Sequence, residues 1–167
     1  MNFEDFRSLE SLLTDDFAQL SAIQKKIMWR LDEFADGKKL KGNEIVGCLG
    51  EVYTKMIFSG ALVDDSCEHD VEAENGMRIS VKTRKGRNSG WNITSAIPKI
   101  DGENTPTHLV FVNLKSNYQV HKIWLFTWSE LGDDNRFRKH VVRGNLRSYI
   151  VRIDEKKDHG NLVYESE

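Results

Sequence analysis

Apolar residues recur at three- and four-residue spacing through the first 35 positions. Phe3, Phe6, Leu9, Leu13 and Phe17, then Leu20, Ile23, Ile27, Leu31 and Phe34, lie on the stripe that a helix buries, so the pattern predicts helix over 3–35. Thr14 followed by Asp15 and Asp16 has the make-up of a cap and an acidic first turn, which predicts a break near 14. Gly37 ends this region, and KKLKG is a charged loop. Asn43 is placed to cap a third helix over 44–58, and Gly60 to stop it. On that helix Glu44, Cys48, Glu51 and Lys55 form one stripe, while Val46, Leu49, Val52, Tyr53 and Met56 form the apolar side. Gly47 and Gly50 each cost about 1 kcal/mol relative to alanine inside a helix, which predicts close approach of another backbone.

Beyond Gly60 the period shortens to two. Ala61–Val63, His69–Ala73 and Met77–Thr83 read as short strands. HLVFVNL (108–114) and KIWLFTW (122–128) are continuous apolar runs of the kind found in strands covered on both faces. Residues 84–107 are irregular, with a short helix expected around 92–97. Ser129 can cap another short helix, and a last strand is expected near 148–153. This order predicts one α/β domain over 1–167, with a mixed central sheet of four to five strands flanked by helices. Within it, 1–36 is a helical N-terminal extension, 43–128 the core and 129–167 a basic C-terminal segment.

The stretch DVEAENGMRISVKTRKG (70–86) raises a question of register. A two-residue Asn75-Gly76 turn pairs Glu74 with Met77 and sets Asp70 against Val81. A three-residue loop with Gly76 left-handed instead sets Ala73 against Met77 and Asp70 against Ser80. The second register keeps Val71, Ile79 and Val81 on one face and gathers Asp70, Glu72, Ser80 and Lys82 on the other. The first mixes carboxylates with valines, which costs burial, so the three-residue loop is preferred. The same residues would also make an ordinary solvated face with an Asp–Lys pair.

Composition narrows the classes. The chain is 39% hydrophobic and 30% charged with two prolines, as in a folded domain and unlike a disordered segment. Two cysteines and an acidic, mixed N-terminus predict reduced thiols in a cytoplasmic protein with no targeting peptide. No apolar run approaches the roughly 20 residues that span a bilayer, so no membrane association is expected. The net charge of −2 argues against indiscriminate nucleic-acid binding, yet positive charge is segregated. Arg78, Lys82, Arg84, Lys85 and Arg87 lie in an acid-free stretch. So do Arg136, Arg138, Lys139, Arg143, Arg147 and Arg152. Both zones could grip phosphates, with Arg78, Arg84, Lys85, Arg87, Arg138, Lys139 and Arg143 as the candidate contacts. Trp91 and Asn92 could approach DNA, although Trp91 reads better as core, as do Trp124 and Trp128.

A Gly-Glu helix, an aspartate hairpin ending in ISVKT, a linker with Trp91, then HLVFVNL and KIWLFTW together resemble the PD-(D/E)XK nuclease superfamily. The likeness is to its restriction-endonuclease-like and Holliday-junction-resolvase-like branches, and it runs from about Asn43 to Trp128. It implies a metal-dependent endonuclease that hydrolyses phosphodiester bonds in DNA, with Mg²⁺ or Mn²⁺ as cofactor. Asp70 would bind the metal, Glu51 would complete the site from its helix, and Lys82 would stand near the attacking water and the phosphate. Ser80 departs from the family pattern, which places an acid two residues before the lysine. Glu72 is the alternative second carboxylate. Should none serve, the resemblance implies a degenerate relative that binds nucleic acid or a protein without cleavage. By analogy with such nucleases the chain could be a homodimer, joined through its N-terminal helices.

Other chemistry finds little support. Cys48, Cys67 and His69 lack a second ligand pair at zinc spacing. The remaining histidines are scattered, and no phosphate-binding glycine loop is present.

Overall fold

The computed structural model describes residues 3–37, 45–64, 66–86, 93–115 and 119–166, with backbone alone over 3–14 and at 17. Asn43, Glu44, Arg87, Trp91 and Asn92, all singled out above, lie outside the described residues.

The first helix, α1 (Phe3–Asp32), runs unbroken for 30 residues. The break expected at Thr14 does not occur. Thr and Asp cost only about 0.7 kcal/mol each inside a helix, with no Gly or Pro to interrupt the hydrogen-bond ladder, so propagation continues. Among its described side chains, those at the C-terminal end reach the core, where Leu31 and, just beyond, Ala35 are buried, while Ile23 and Trp29 stay 56% and 64% exposed. Lys55 of α2 (Ile45–Ile57) fastens the two helices, donating to Asp36 Oδ1 (2.6 Å) and to Phe34 O (2.8 Å). The buried stripe of α2 is Ile45, Cys48, Leu49 and Val52. Cys48 therefore lies in the core and not on the polar stripe, where it acts as a small apolar residue, and Met56 is exposed.

Among the described residues nine strands follow: β1 (Gly60–Leu62), β2 (Val71–Ala73), β3 (Arg78–Lys85), β4 (Thr94–Ile97), β5 (His108–Leu114), β6 (Val120–Thr127), β7 (Arg138–Val142), β8 (Asn145–Arg152) and β9 (Leu162–Glu165). The fold is α/β with a mixed sheet, as expected, but it has more strands. Six form the main sheet in the order β1-β2-β3-β5-β6-β9, in which β3 and β5 are parallel and the other neighbours antiparallel. The remaining three form a second sheet, β4-β8-β7. The helix expected around 92–97 is thus the strand β4. Ser95 and Ile97 are buried while Ala96 is exposed, a period of two that four residues cannot distinguish from a helical turn by composition.

β5 is buried along nearly its whole length because both faces of the main sheet are covered. On one face Val71, Ile79, Val81, Val110 and Val112 meet α2 and the end of α1. On the other, Leu109, Phe111, Trp124 and Phe126 meet Ile97, Val151 and Ile153 of the second sheet region together with α3 (Trp128–Asp133). Trp124 and Trp128 are packing residues, as expected from the sequence. The cap of α3 is Thr127, not Ser129: Thr127 Oγ1 accepts from Glu130 N (3.2 Å).

The two helical glycines differ. A Cβ on Gly50 would lie 1.7 Å from Thr83 Oγ1 and 2.9 Å from its Cβ, so the helix can sit on β3 only with glycine there. Gly47 meets nothing within 4 Å, contrary to the close approach expected of it. Gly47→Ala should therefore raise stability by about 0.5–1 kcal/mol through helix propensity. Gly50→Ala should cost about 2–3 kcal/mol through overpacking. Urea unfolding of the two variants checks this; equal effects would refute the helix–sheet contact.

Candidate functional site

β2 and β3 meet in the register of the three-residue loop. Val71 faces Ile79 and Glu72 faces Arg78, while Ala73 N donates to Met77 O (2.9 Å). Gly76, at φ +83°, supplies the left-handed residue, and its N–H returns to Ala73 O (2.9 Å). Val71, Ile79 and Val81 all turn into the core.

β2 stops short of the end of β3. At that point Asp70 takes over with its side chain. Its backbone N–H donates to Ile79 O (2.9 Å), and its Oδ2 accepts from Val81 N–H (2.6 Å). A carboxylate thus replaces the peptide carbonyl that a longer β2 would have offered, in a short charge-assisted bond. Ser80 Oγ lies 3.5 Å from the same oxygen and Lys82 Nζ 3.9 Å from it. Lys82 Nζ also donates to Val81 O (3.1 Å). Asp70 and Lys82 are both half-buried, and Ser80 is buried.

Past the end of β2, the open edge of β3 borders a cleft of about 380 Å³. Gly47, Glu51, Lys82, Arg84, Lys85 and Ser95 are among its lining residues. Glu51 arrives from α2 on one face of the sheet and Lys82 from the other. The cleft joins them because, among the described residues, no strand pairs with β3 on that side beyond Ile79. Asp70 does not line the cleft; Lys82 is its link. Arg84 is partly committed, since its Nε donates to Thr94 O (2.9 Å) and ties β3 to β4.

The other candidates are dispersed. Glu72 lines a separate cleft with Lys55 and Ser59, two residues up the strand from Asp70, which is about 6.6 Å along the chain. Arg138 and Lys139 are exposed on β7, and Arg143 in the turn after it. Arg136, counted in the second basic zone, is committed elsewhere. It pairs both nitrogens with the buried Asp158 (2.8 and 2.8 Å), donates to Arg152 O and lies 5.9 Å over the Phe126 ring. Cys48 is buried in the core and Cys67 is exposed. Among the described residues no group of three or more His, Cys, Asp or Glu side chains is arranged to hold a metal ion.

Two groups near the hairpin hold buried nitrogens that the sequence pattern does not signal. Both ring nitrogens of the buried His69 lack a hydrogen-bond partner among the described residues, as does Arg78 Nε. Burial lowers the pKa of His69, with the charges of Glu72 and Asp70 opposing and that of Arg78 reinforcing. His108, whose Nδ1 lies 2.8 Å from Thr107 Oγ1, is also lowered by burial, against the charge of Glu130. Nothing in the pattern around His69 signals burial, because the bend that buries it has no period.

No family model matches the chain, and no curated protein matches it.

Asp70→Ala should leave Val81 N–H without an acceptor and cost about 1–2 kcal/mol. Asp70→Asn retains a carbonyl oxygen at that position and should cost less than half as much; chemical denaturation of the pair distinguishes them. The histidines set a pH dependence. Both have folded pKa values below the ordinary 6.5, so on acidification the unfolded chain takes up protons first. Their stabilisation is complete above about pH 7 and is lost as pH falls through 6.5 toward the folded values. Thermal melts should show Tm falling between about pH 7.5 and pH 5, and the double variant His69→Gln, His108→Gln should flatten that slope.

Proposed function

We propose that the protein is a metal-dependent endonuclease that hydrolyses phosphodiester bonds in DNA, in the manner implied by its resemblance to the PD-(D/E)XK nucleases. One observation carries this reading: an aspartate and a lysine 3.9 Å apart at the end of a strand, beside a cleft that a helix glutamate also lines.

This reading calls for a loosely held Mg²⁺ and not for a closed cage, since no group of three or more His, Cys, Asp or Glu side chains is arranged for one among the described residues. Mg²⁺ keeps several waters and is commonly bound by one or two carboxylates plus substrate phosphates. Asp70 and Glu51 would be those carboxylates, with Ser80 as a neutral oxygen. When bound, the cation would supply Lewis-acid activation of water and of the phosphate. Lys82 would place a cation beside the phosphate, and Arg84 and Lys85 would add positive charge along the same cleft. With one acid against three cations, the lining favours an anionic substrate.

A second reading is a binder of the same fold that does not cut. Ser80 in place of an acid favours it, as does the lack of a three-ligand group among the described residues.

Incubation of supercoiled plasmid with Mg²⁺ or Mn²⁺ decides between them. A nuclease should nick the plasmid, and Asp70→Asn, Lys82→Ala and Glu51→Gln should each reduce nicking by at least about 100-fold. Retarded plasmid without nicking under either metal would sink the hydrolytic reading and leave the binding one.

A further inference from the structure

Residues 138–147 form a hairpin in which every residue is exposed. β4 pairs with Tyr149–Arg152 of β8, so among the described residues the two strands β7 and β8 have only each other beyond Ser148. A two-stranded ribbon with both faces in water is marginal by itself. This one leaves Val141 53%, Val142 36% and Leu146 50% exposed. Its cations, Arg138, Lys139, Arg143 and Arg147, form no ion pair among the described residues. No acid occurs between Arg136 and Asp154. At the tip, Arg143 and Gly144 close a two-residue turn with φ of 51° and 81°. Such a turn favours Asn or Gly at its first position, and an arginine there sets a cation at the tip against the preference of its own backbone.

We infer that this ribbon is a reading arm for the major groove of double-helical DNA. The inference rests on the phosphodiester substrate proposed above and narrows it to duplex DNA. The major groove of B-DNA is about 12 Å wide and admits a two-stranded ribbon, whereas the deep, narrow groove of A-form RNA does not. Arginine matches guanine edges and phosphates, and valine and leucine methyls match the thymine methyl. A grip on unpaired bases would call for stacking rings. Tyr149 is the one Phe, Tyr or Trp of β7 and β8, and it packs inward on the second core. A symmetric ribbon-to-ribbon contact with a second copy of the chain would bury the same aliphatic groups while setting like charge against like; a polyanion neutralises it.

Fluorescence anisotropy in EDTA tests this with a labelled DNA duplex two helical turns long, its single strand, and the RNA duplex of the same sequence. Duplex DNA should bind at least about tenfold tighter than either of the others. Arg143→Asn and Arg147→Gln should each weaken it about tenfold and lower the slope of log K against log salt by about 1. Arg143→Asn suits the turn, so its Tm should match or exceed that of the wild type, and lost binding cannot then be assigned to misfolding. Leu146→Ser should weaken binding with the salt slope unchanged. Equal binding to the three nucleic acids, or full binding by the ribbon variants, would overturn the inference. So would a dimer that Leu146→Ser dissociates while DNA binding is untouched. Binding in EDTA requires no cleavage. A protein that binds duplex DNA through the ribbon but never nicks upholds the inference and refutes the hydrolytic reading; one that nicks while its ribbon variants stay unimpaired does the reverse.

Discussion

The bond from Val81 N–H to Asp70 Oδ2, 2.6 Å long, stands where one strand gives out and the next runs on. A backbone donor at a sheet edge needs an acceptor, and a side chain that supplies it allows the partner strand to stop. The consequence, among the described residues, is an open edge on β3 from Val81 onward, although the strand lies well inside the sheet order. Because that edge is open, side chains from opposite faces of the sheet can border one cleft, and Glu51 and Lys82 do so. The same bond fixes the Asp70 carboxylate beside Ser80 and Lys82. A structural hydrogen bond and a candidate reactive group are thus one residue.

The rest of the main sheet serves to hold that strand end still. β3 is paired along seven consecutive positions with β5, whose side chains are buried on both faces. Above it, α2 approaches closely enough that Gly50 rests on Thr83. Below it, the second sheet is tied in through Arg84 and Thr94 O and through a core built on the Phe111–Trp124 edge contact at 6.2 Å. Farther out, the pairing of Arg136 with the buried Asp158 secures the connection into β7, so the exposed ribbon projects from a firmly held base. Rigidity at the cleft and exposure at the ribbon are two outcomes of one arrangement of layers.

Sequence legibility followed burial. The hairpin register could be derived because a one-residue slip would carry Asp70 and Glu72 into the valine face, and Gly76 marked the turn. β5 was legible as a seven-residue apolar run with both faces covered. By contrast β7 has five exposed residues and carries no period at all, so only its pairing with β8 makes it a strand. Thr94–Ile97 is too short for its alternation to outweigh a helical reading. Thr14 and its two aspartates carry a local cap signal, which the surrounding helix overrides.

By itself the amino-acid sequence determined the α/β class, the helical character of the N-terminal region and of α2, the buried central strands and the company of Asp70, Ser80 and Lys82, because each depends on short-range periodicity or on a tight turn. The tertiary structure alone decided that Glu51 shares a cleft with Lys82 while Glu72 does not, that Cys48 is core, that Arg136 is committed to Asp158, and that the basic segment folds into a separate sheet with a bare ribbon. Each of these depends on which distant segments pack together and where a strand ends, and no local pattern of side chains encodes that.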